Sequence, residues 1–372
     1  MLFVFLSHFG WVYFSQNGAS AYLRVSALVG QVASPAFMII SGMMLGYLYR
    51  TSGGDFAGIR AKLIDRALFL LTIGRVFILI AHIPAAGGLW AALHWGFMTD
   101  AIAFSLIAGS ILITLLEPKE RILLAVGTFA VSSWLMVFWH PHSKLLWVVQ
   151  ETLFGTTGLR HLVFIFPFLP WFSLYLASTC LGQHLGECQV AGQPMKAART
   201  FRKIAVAAVC LSLSLAAASV LLQTLGFLQP SGALSQLTSP FHKLPPSLSF
   251  FLFYGGIGLL IACALFQLEQ GHRARAYLTF TSLLGRTSLF VFVVQYYLYF
   301  SLFFPARLPF SFVWPVYLAL SVVLIGFLAK KWHEQDGNRL FTVGYSPKLD
   351  QAIASTVSGV LEWRTVNQRS SS

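Results

Sequence analysis

Ten apolar runs, each set off from the next by a short stretch that carries the charge, limit what this chain can fold into more than anything else in it. They cover roughly 2–14, 29–49, 67–83, 101–116, 122–139, 161–183, 204–225, 248–267, 284–304 and 311–329. A helix needs ~20 residues to cross ~30 Å of hydrocarbon, and unbroken apolar runs exclude a β-barrel, whose strands alternate over about ten residues. With 57% hydrophobic and 10% charged residues, there is too little polar surface to cover a soluble globule of 372 residues. The fold class is all-α: a polytopic membrane protein of about ten helices over residues 1–330, followed by a tail of mixed charge, 331–372.

A formal charge of +13 would serve nucleic acid only if it were gathered on one surface. Here it is dealt out among the loops. Nineteen Lys and Arg fall in alternate loops and the tail, among them Arg50, Arg60, Lys62, Arg66, Lys119, Arg121, Lys196, Arg199, Arg202 and Lys203. The intervening loops hold five: Arg24, Lys144, Arg160, Lys243 and Arg307. The positive-inside rule then places both termini in the cytoplasm, with membrane lipid and not nucleic acid as the surrounding partner. Segments 84–99 and 140–160, rich in Trp, Gly and His, read as interfacial stretches that partly re-enter and line a cavity on the outer side; 226–247, rich in Pro and Ser, reads as irregular. The first run lacks the basic n-region of a cleaved signal. Its 13 apolar residues are short for a span, so the natural product is expected to begin upstream of Met1.

Ionisable groups within spans are expensive and mark functional sites. His8 is the imidazole of the first run; Phe5 and Trp11 lie one turn from it. Ser41-Gly42 interrupts the second run and, with Ser34-Pro35, gives it two weak points, read either as close helix packing or as a groove for a flexible chain. Arg75 lies nine residues beyond Arg66, about 13 Å deep, where it faces the bundle interior and pairs with Asp100 or meets a phosphate from the cytoplasm. Asp100 suits either that pairing or the N-terminus of a helix. Arg160-His161 opens the sixth run, where Pro167 and Pro170 are expected to free backbone carbonyls beside a cavity near Trp171. His82, His94, His140, His142 and His242 read as interfacial, with no metal-binding pattern among them and no metal expected.

Four stretches in order, LFVFLSHF, FMIISGMMLGYLY, FPFLPWFSLYLASTCLG and the pair LPPSLSFFLF with LGRTSLFVFVVQYYLY, resemble the transmembrane acyltransferase superfamily, and most closely its heparan-α-glucosaminide N-acetyltransferase-like branch. OpgC-type glucan succinyltransferases are near relatives with a similar second span. The resemblance implies a multi-helix enzyme that takes an acyl group, commonly acetyl, from cytoplasmic acyl-CoA (acetyl-CoA) and delivers it to a sugar hydroxyl or amine of an exported or cell-surface glycan. It also implies a bacterial-type inner membrane. His8 matches the family's catalytic histidine, with Asp100 and His161 as further catalytic candidates. Ser41, Gly42, Arg75, Arg160, Trp171 and Gln295 are the substrate-binding candidates, Gln295 standing where the family often has histidine. Arg60, Lys62 and Arg66 are candidates for the coenzyme phosphates, although topology alone explains their position. The chain departs from the family in lacking an Arg-containing segment about ten residues before His8. A homo-oligomer is compatible with all of this. The rival class is a transporter or flippase for a lipid-linked glycan or another polar solute; against it stand the absence of internal repeats and the scarcity of carboxylates within spans. A third reading is a non-catalytic assembly subunit.

Overall fold

Long apolar runs bury their own backbone hydrogen bonds by coiling into helices, and the computed structural model is all-α apart from one pair of two-residue strands. It describes residues 1–53, 55–156, 163–164, 166–227, 238–270 and 275–344. In chain order the elements are α1 (Leu2–Gln16), α2 (Ser20–Gly30), α3 (Ala33–Thr51), α4 (Ala57–Phe69), α5 (Arg75–Ala86), α6 (Leu89–Leu93), β1 (Trp95–Gly96), α7 (Met98–Leu115), α8 (Pro118–Phe138) and α9 (Lys144–Leu153). They continue as β2 (Val163–Phe164), α10 (Phe168–Val190), α11 (Pro194–Thr224), α12 (Leu248–Gln270), α13 (Arg275–Arg286), α14 (Ser288–Tyr296), α15 (Phe304–Ala306) and α16 (Trp314–Glu334). A π segment, Leu70–Gly74, joins α4 to α5, and a second, Tyr297–Phe303, joins α14 to α15.

Among the described residues, eight helical stretches are long and apolar enough to cross a membrane, so this is a multi-pass membrane protein. The two other expected segments are also helical. The first, α1, has 15 residues; the second, α10, has 23 but carries Gln183, His184 and Glu187 in its last turns, tolerable because other helices surround it.

Several boundaries differ from the sequence reading, the third and seventh segments among them, which begin at Ala57 and Pro194 against the expected 67 and 204. The second segment begins at Ser20, nine residues before the expected 29: α2 precedes α3 across a break at Gln31–Val32, and Arg24 with two serines had hidden it. The sixth begins at Phe168, not 161. Pro167 caps it and Pro170 lies in its first turn, where the backbone N–H has no helical partner to lose, so neither proline frees a carbonyl inside the span. Pro35 likewise sits in the first turn of α3, and the weak point of that segment is the break before it.

Close packing explains Ser41-Gly42. Gly42 and Gly46 of α3 run beside Gly182 and Gly186 of α10; a Cβ on Gly42 would meet the Tyr175 carbonyl oxygen at 2.3 Å, and one on Gly182 the Met43 carbonyl oxygen at 1.8 Å. Small residues four apart on both helices let the backbones touch, the device that replaces the hydrophobic effect between helices in lipid.

Contacts between helix ends define the two ends of the bundle. At one, Asp65 accepts from the Val343 amide (3.1 Å), Asn338 donates to the Arg286 carbonyl (3.0 Å), and Arg50 packs on Gly186. At the other, Tyr13 donates to the Pro309 carbonyl (2.8 Å), Asn17 to that of Leu308 (3.0 Å), and Gly155 packs on Pro167 and Pro245. The first end carries Arg50, Arg60, Lys62, Arg66, Lys330 and Lys331.

Candidate functional site

A cavity of about 440 Å³ is walled by α1, the α2–α3 break, α5, the Trp95–Met98 stretch, α14 with its π segment and the loop before α12. His8 lines it. The α1–α2 hairpin brings the ring to the level of Gly30, where a Cβ would lie 2.5 Å from that of Ser7, so the glycine lets the two helices close behind the imidazole. Gly30 stands ten residues from the start of α2 and twenty-one from the end of α3, about 15 Å and 30 Å along a helix. The site is therefore inside the bundle but nearer the second end.

Three aromatic rings at four-residue spacing on α14 and its π segment face His8 edge-on: Tyr296 at 5.0 Å, Phe300 at 5.3 Å and Phe292 at 6.1 Å between centroids. They hold the ring by packing and offer its Nδ1, which is buried, no hydrogen-bond partner. His82 of α5 packs against two of the same rings, 5.1 Å from Phe300 and 6.1 Å from Tyr296, and lines the same cavity. His82 is 3% exposed, and neither of its ring nitrogens has a partner. Two imidazoles thus border one cavity, with ring nitrogens that have no hydrogen-bond partner. A buried polar atom without a partner costs roughly 1–3 kcal/mol, which a ligand with complementary groups recovers.

The expected pairing of Arg75 with Asp100 is present, and it has a definite mechanical consequence. Arg75 Nη1 contacts Asp100 Oδ2, Nη2 donates to the Trp95 carbonyl (3.2 Å), and the same carboxylate oxygen accepts from the Phe97 amide (3.0 Å). The pair therefore clamps the Trp95–Phe97 strand to α5. That clamp sets Trp95 4.5 Å from His82, one wall of the cavity, while β1 pairs in parallel with β2, Trp95 opposite Val163 and Gly96 opposite Phe164. Neither charged group lines the cavity itself.

Lys243 was counted from sequence only as a minority loop charge, yet it lines the cavity beside His8. Its turn is well tied down: His242 Nδ1 lies 3.0 Å from the Pro245 carbonyl, Ser247 Oγ donates to the Ser239 carbonyl (2.6 Å), and that same Oγ caps α12 by accepting from the Phe250 amide (2.8 Å). The ammonium lies 5.3 Å from the Phe166 ring centroid. Burial pushes it down from 10.5 to about 8.

The remaining sequence candidates lie elsewhere. Ser41 and Gly42 are at the α3–α10 contact. Trp171 is fully buried behind Phe166 (5.4 Å), packed on Phe250 and Phe251, one layer away from the cavity. Gln295 is fully buried, with both amide atoms unpartnered, and does not line the cavity. Arg60 is buried on α4, and Lys62 and Arg66 are exposed there, at the first end. Arg121, read as a topology charge, is 1% exposed and donates to Thr179 (2.8 Å) and Gln183 of α10. Arg160 and His161 lie outside the described residues. His82 falls inside the expected run 67–83, the same signal that marks His8, but near its outer end it reads as interfacial; nothing in the sequence separates Lys243 from the other outer-loop residues. Among the described residues there is no group of three or more His, Cys, Asp and Glu that could hold a metal. Comparison with protein-family models, with curated proteins and with solved structures finds no match.

Proposed function

We propose that this membrane protein is an acyl-CoA-dependent acyltransferase acting on a glycan. Ten segments cross a bacterial-type inner membrane, both termini are cytoplasmic, and acyl-CoA (acetyl-CoA as the commonest donor) arrives at the basic end while a sugar hydroxyl or amine arrives at the other. The observation that carries the reading is His8: an imidazole with a buried, unpartnered nitrogen, held among aromatic rings at a cavity within a helical bundle.

The reaction follows from what the residues can do. His8 takes the proton of the sugar hydroxyl as its oxygen attacks the thioester carbonyl carbon; the C–O bond forms, the C–S bond breaks, and His8 returns the proton to the departing thiolate. His82, beside Tyr296 and Phe300 in the same cavity, donates a hydrogen bond to the carbonyl oxygen as it gains charge. The aromatic walls exclude water, which would otherwise compete for the acyl group. The Arg75–Asp100 clamp positions the Trp95 wall and touches no reacting atom. A carrier coupled to protons or sodium ordinarily keeps a carboxylate at its site, and among the described lining residues none is acidic.

Mass spectrometry of surface glycans tests this directly. His8→Ala and His8→Gln, at wild-type membrane abundance, should each lower acylation by about 10²–10⁴-fold, the usual contribution of a positioned base. Retention of more than about a tenth of wild-type acylation in either would move the chemistry away from His8.

A further inference from the structure

A lysine in a walled cavity has to be accounted for by something other than topology. Lys243 belongs to the five basic residues of the sparsely charged end, so the positive-inside rule gives it no role. Nor does it trail into solvent, because the turn around Pro245, Pro246 and Ser247 fixes its backbone against α12. The groups that share its cavity are apolar or aromatic, apart from His8, His82, the Tyr296 hydroxyl and two serines, Ser7 and Ser34; among the described lining residues there is no carboxylate. The face of Phe166 at 5.3 Å is its one counterweight in that wall, and cation–π contact recovers only about 0.5–2 kcal/mol of what desolvating an ammonium costs.

We infer that Lys243 anchors an anionic group, a carboxylate or a phosphate, on the molecule that occupies the cavity with His8. This rests on the acyl-transfer reading for the molecule's identity and on the geometry of the lysine for its charge. The anion has two sources: a terminal carboxylate on the acyl chain, or an acidic group on the acceptor glycan. The phosphates of the coenzyme are not a third source, since the proposed donor enters from the opposite, basic end.

The chemistry predicts a pH signature as well. Lys243 loses its charge as pH rises through about 8 rather than through 10.5, so preference for an anionic ligand should fade between pH 7 and pH 9. The titratable groups facing it across the cavity are His8, His82 and Tyr296. An ordinary imidazole changes charge below that window and an ordinary phenol above it.

The experiment uses the full chain in detergent and matched pairs of probes. Butyryl-CoA and succinyl-CoA differ in a terminal carboxylate at equal chain length; a glucose oligosaccharide and a glucuronate-containing one of equal size differ in the same way on the acceptor side. Losing one partner of a buried charge pair costs about 30-fold or more in affinity. If the acyl chain carries the anion, the wild type should prefer succinyl-CoA by about that factor, and Lys243→Met should bring the ratio of succinyl-CoA to butyryl-CoA affinity to about one. If the acceptor carries it, the same pattern should appear in the oligosaccharide pair. Lys243→Arg should keep the preference in either case.

Preference below about 3-fold in both pairs for the wild type at pH 7, or preference unchanged in Lys243→Met, would overturn the inference. If Lys243→Met does not reach the membrane, Lys243→Gln takes its place: loss of the preference in it supports the inference, and its persistence refutes it. Failure of the acyl-transfer reading looks different: neither thioester binds the wild type and glycan acylation does not depend on His8, whatever the oligosaccharides do.

Discussion

Breaking the Arg75–Asp100 pair should do more than either residue's distance from His8 would indicate. Asp100 has a 3% exposed side chain with two partners on one oxygen, the guanidinium and the Phe97 amide, and Arg75 has a 27% exposed side chain that also holds the Trp95 carbonyl. Removing one member of a buried pair costs about 3–5 kcal/mol because the other charge is stranded. Partial exposure of Arg75 moves the expected cost toward the low end, about 3 kcal/mol for Arg75→Leu. The double variant Arg75→Leu with Asp100→Leu removes both charges and should lie within about 1–2 kcal/mol of the wild type, giving a coupling of at least about 4 kcal/mol in the double-mutant cycle. Thermal unfolding in detergent, read by tryptophan fluorescence, measures it, and glycan acylation in membranes reads the Trp95 wall. Both single variants should lose stability and activity together, and the double variant should recover stability before activity, because the Trp95–Phe97 strand has still lost its tether. If Arg75→Leu instead melts with the wild type and only weakens acyl-CoA binding, with no rescue in the double variant, the clamp reasoning is wrong and Arg75 serves the coenzyme.

Three other outcomes are accessible. Gly182→Leu drives a side chain into the Met43 carbonyl and should deplete the protein from the membrane, whereas Gly127→Ala, with nothing within 4 Å of the new methyl, should not; equal abundance of the two would refute the α3–α10 contact. His82→Phe should lower acylation by about 10²–10³-fold, the usual worth of one oxyanion donor, with His82→Asn falling between it and the wild type; an unchanged rate in His82→Phe would make that ring part of the wall only. Reporter fusions after Arg66 and Arg202 should read cytoplasmic and one near Gly155 external, and inverted signals at two of these would overturn the proposed orientation.

Hydropathy made the membrane-spanning helices legible, because a helix in lipid must be apolar along its whole length and that property is local. Depth along a helix is also local, which is why Arg75 was legible as an interior charge in need of a partner, with Asp100 the acid within reach. The small-residue reading of Ser41-Gly42 needed only the spacing of glycines. α2 was hidden because Arg24 and its serines interrupt the apolar run, although the hairpin packs Ser26 against Gly10 of α1, and Pro167 and Pro170 were misplaced because a helix start is fixed by its neighbours as much as by its residues.

His8 stood out in the sequence as a polar group on an apolar run. His82 also lay on an apolar run, 67–83, but near its outer end among histidines that read as interfacial, and Lys243 looked like any other loop charge until folded. Only tertiary structure decided the site: α5 and the clamped Trp95 strand carry His82 to the aromatic wall, a capped turn carries Lys243 to its rim, and two π segments, invisible in composition, set the helices on either side. Hydropathy is a property of each segment alone, whereas a cavity is a property of which faces meet, and contacts across hundreds of residues decide that.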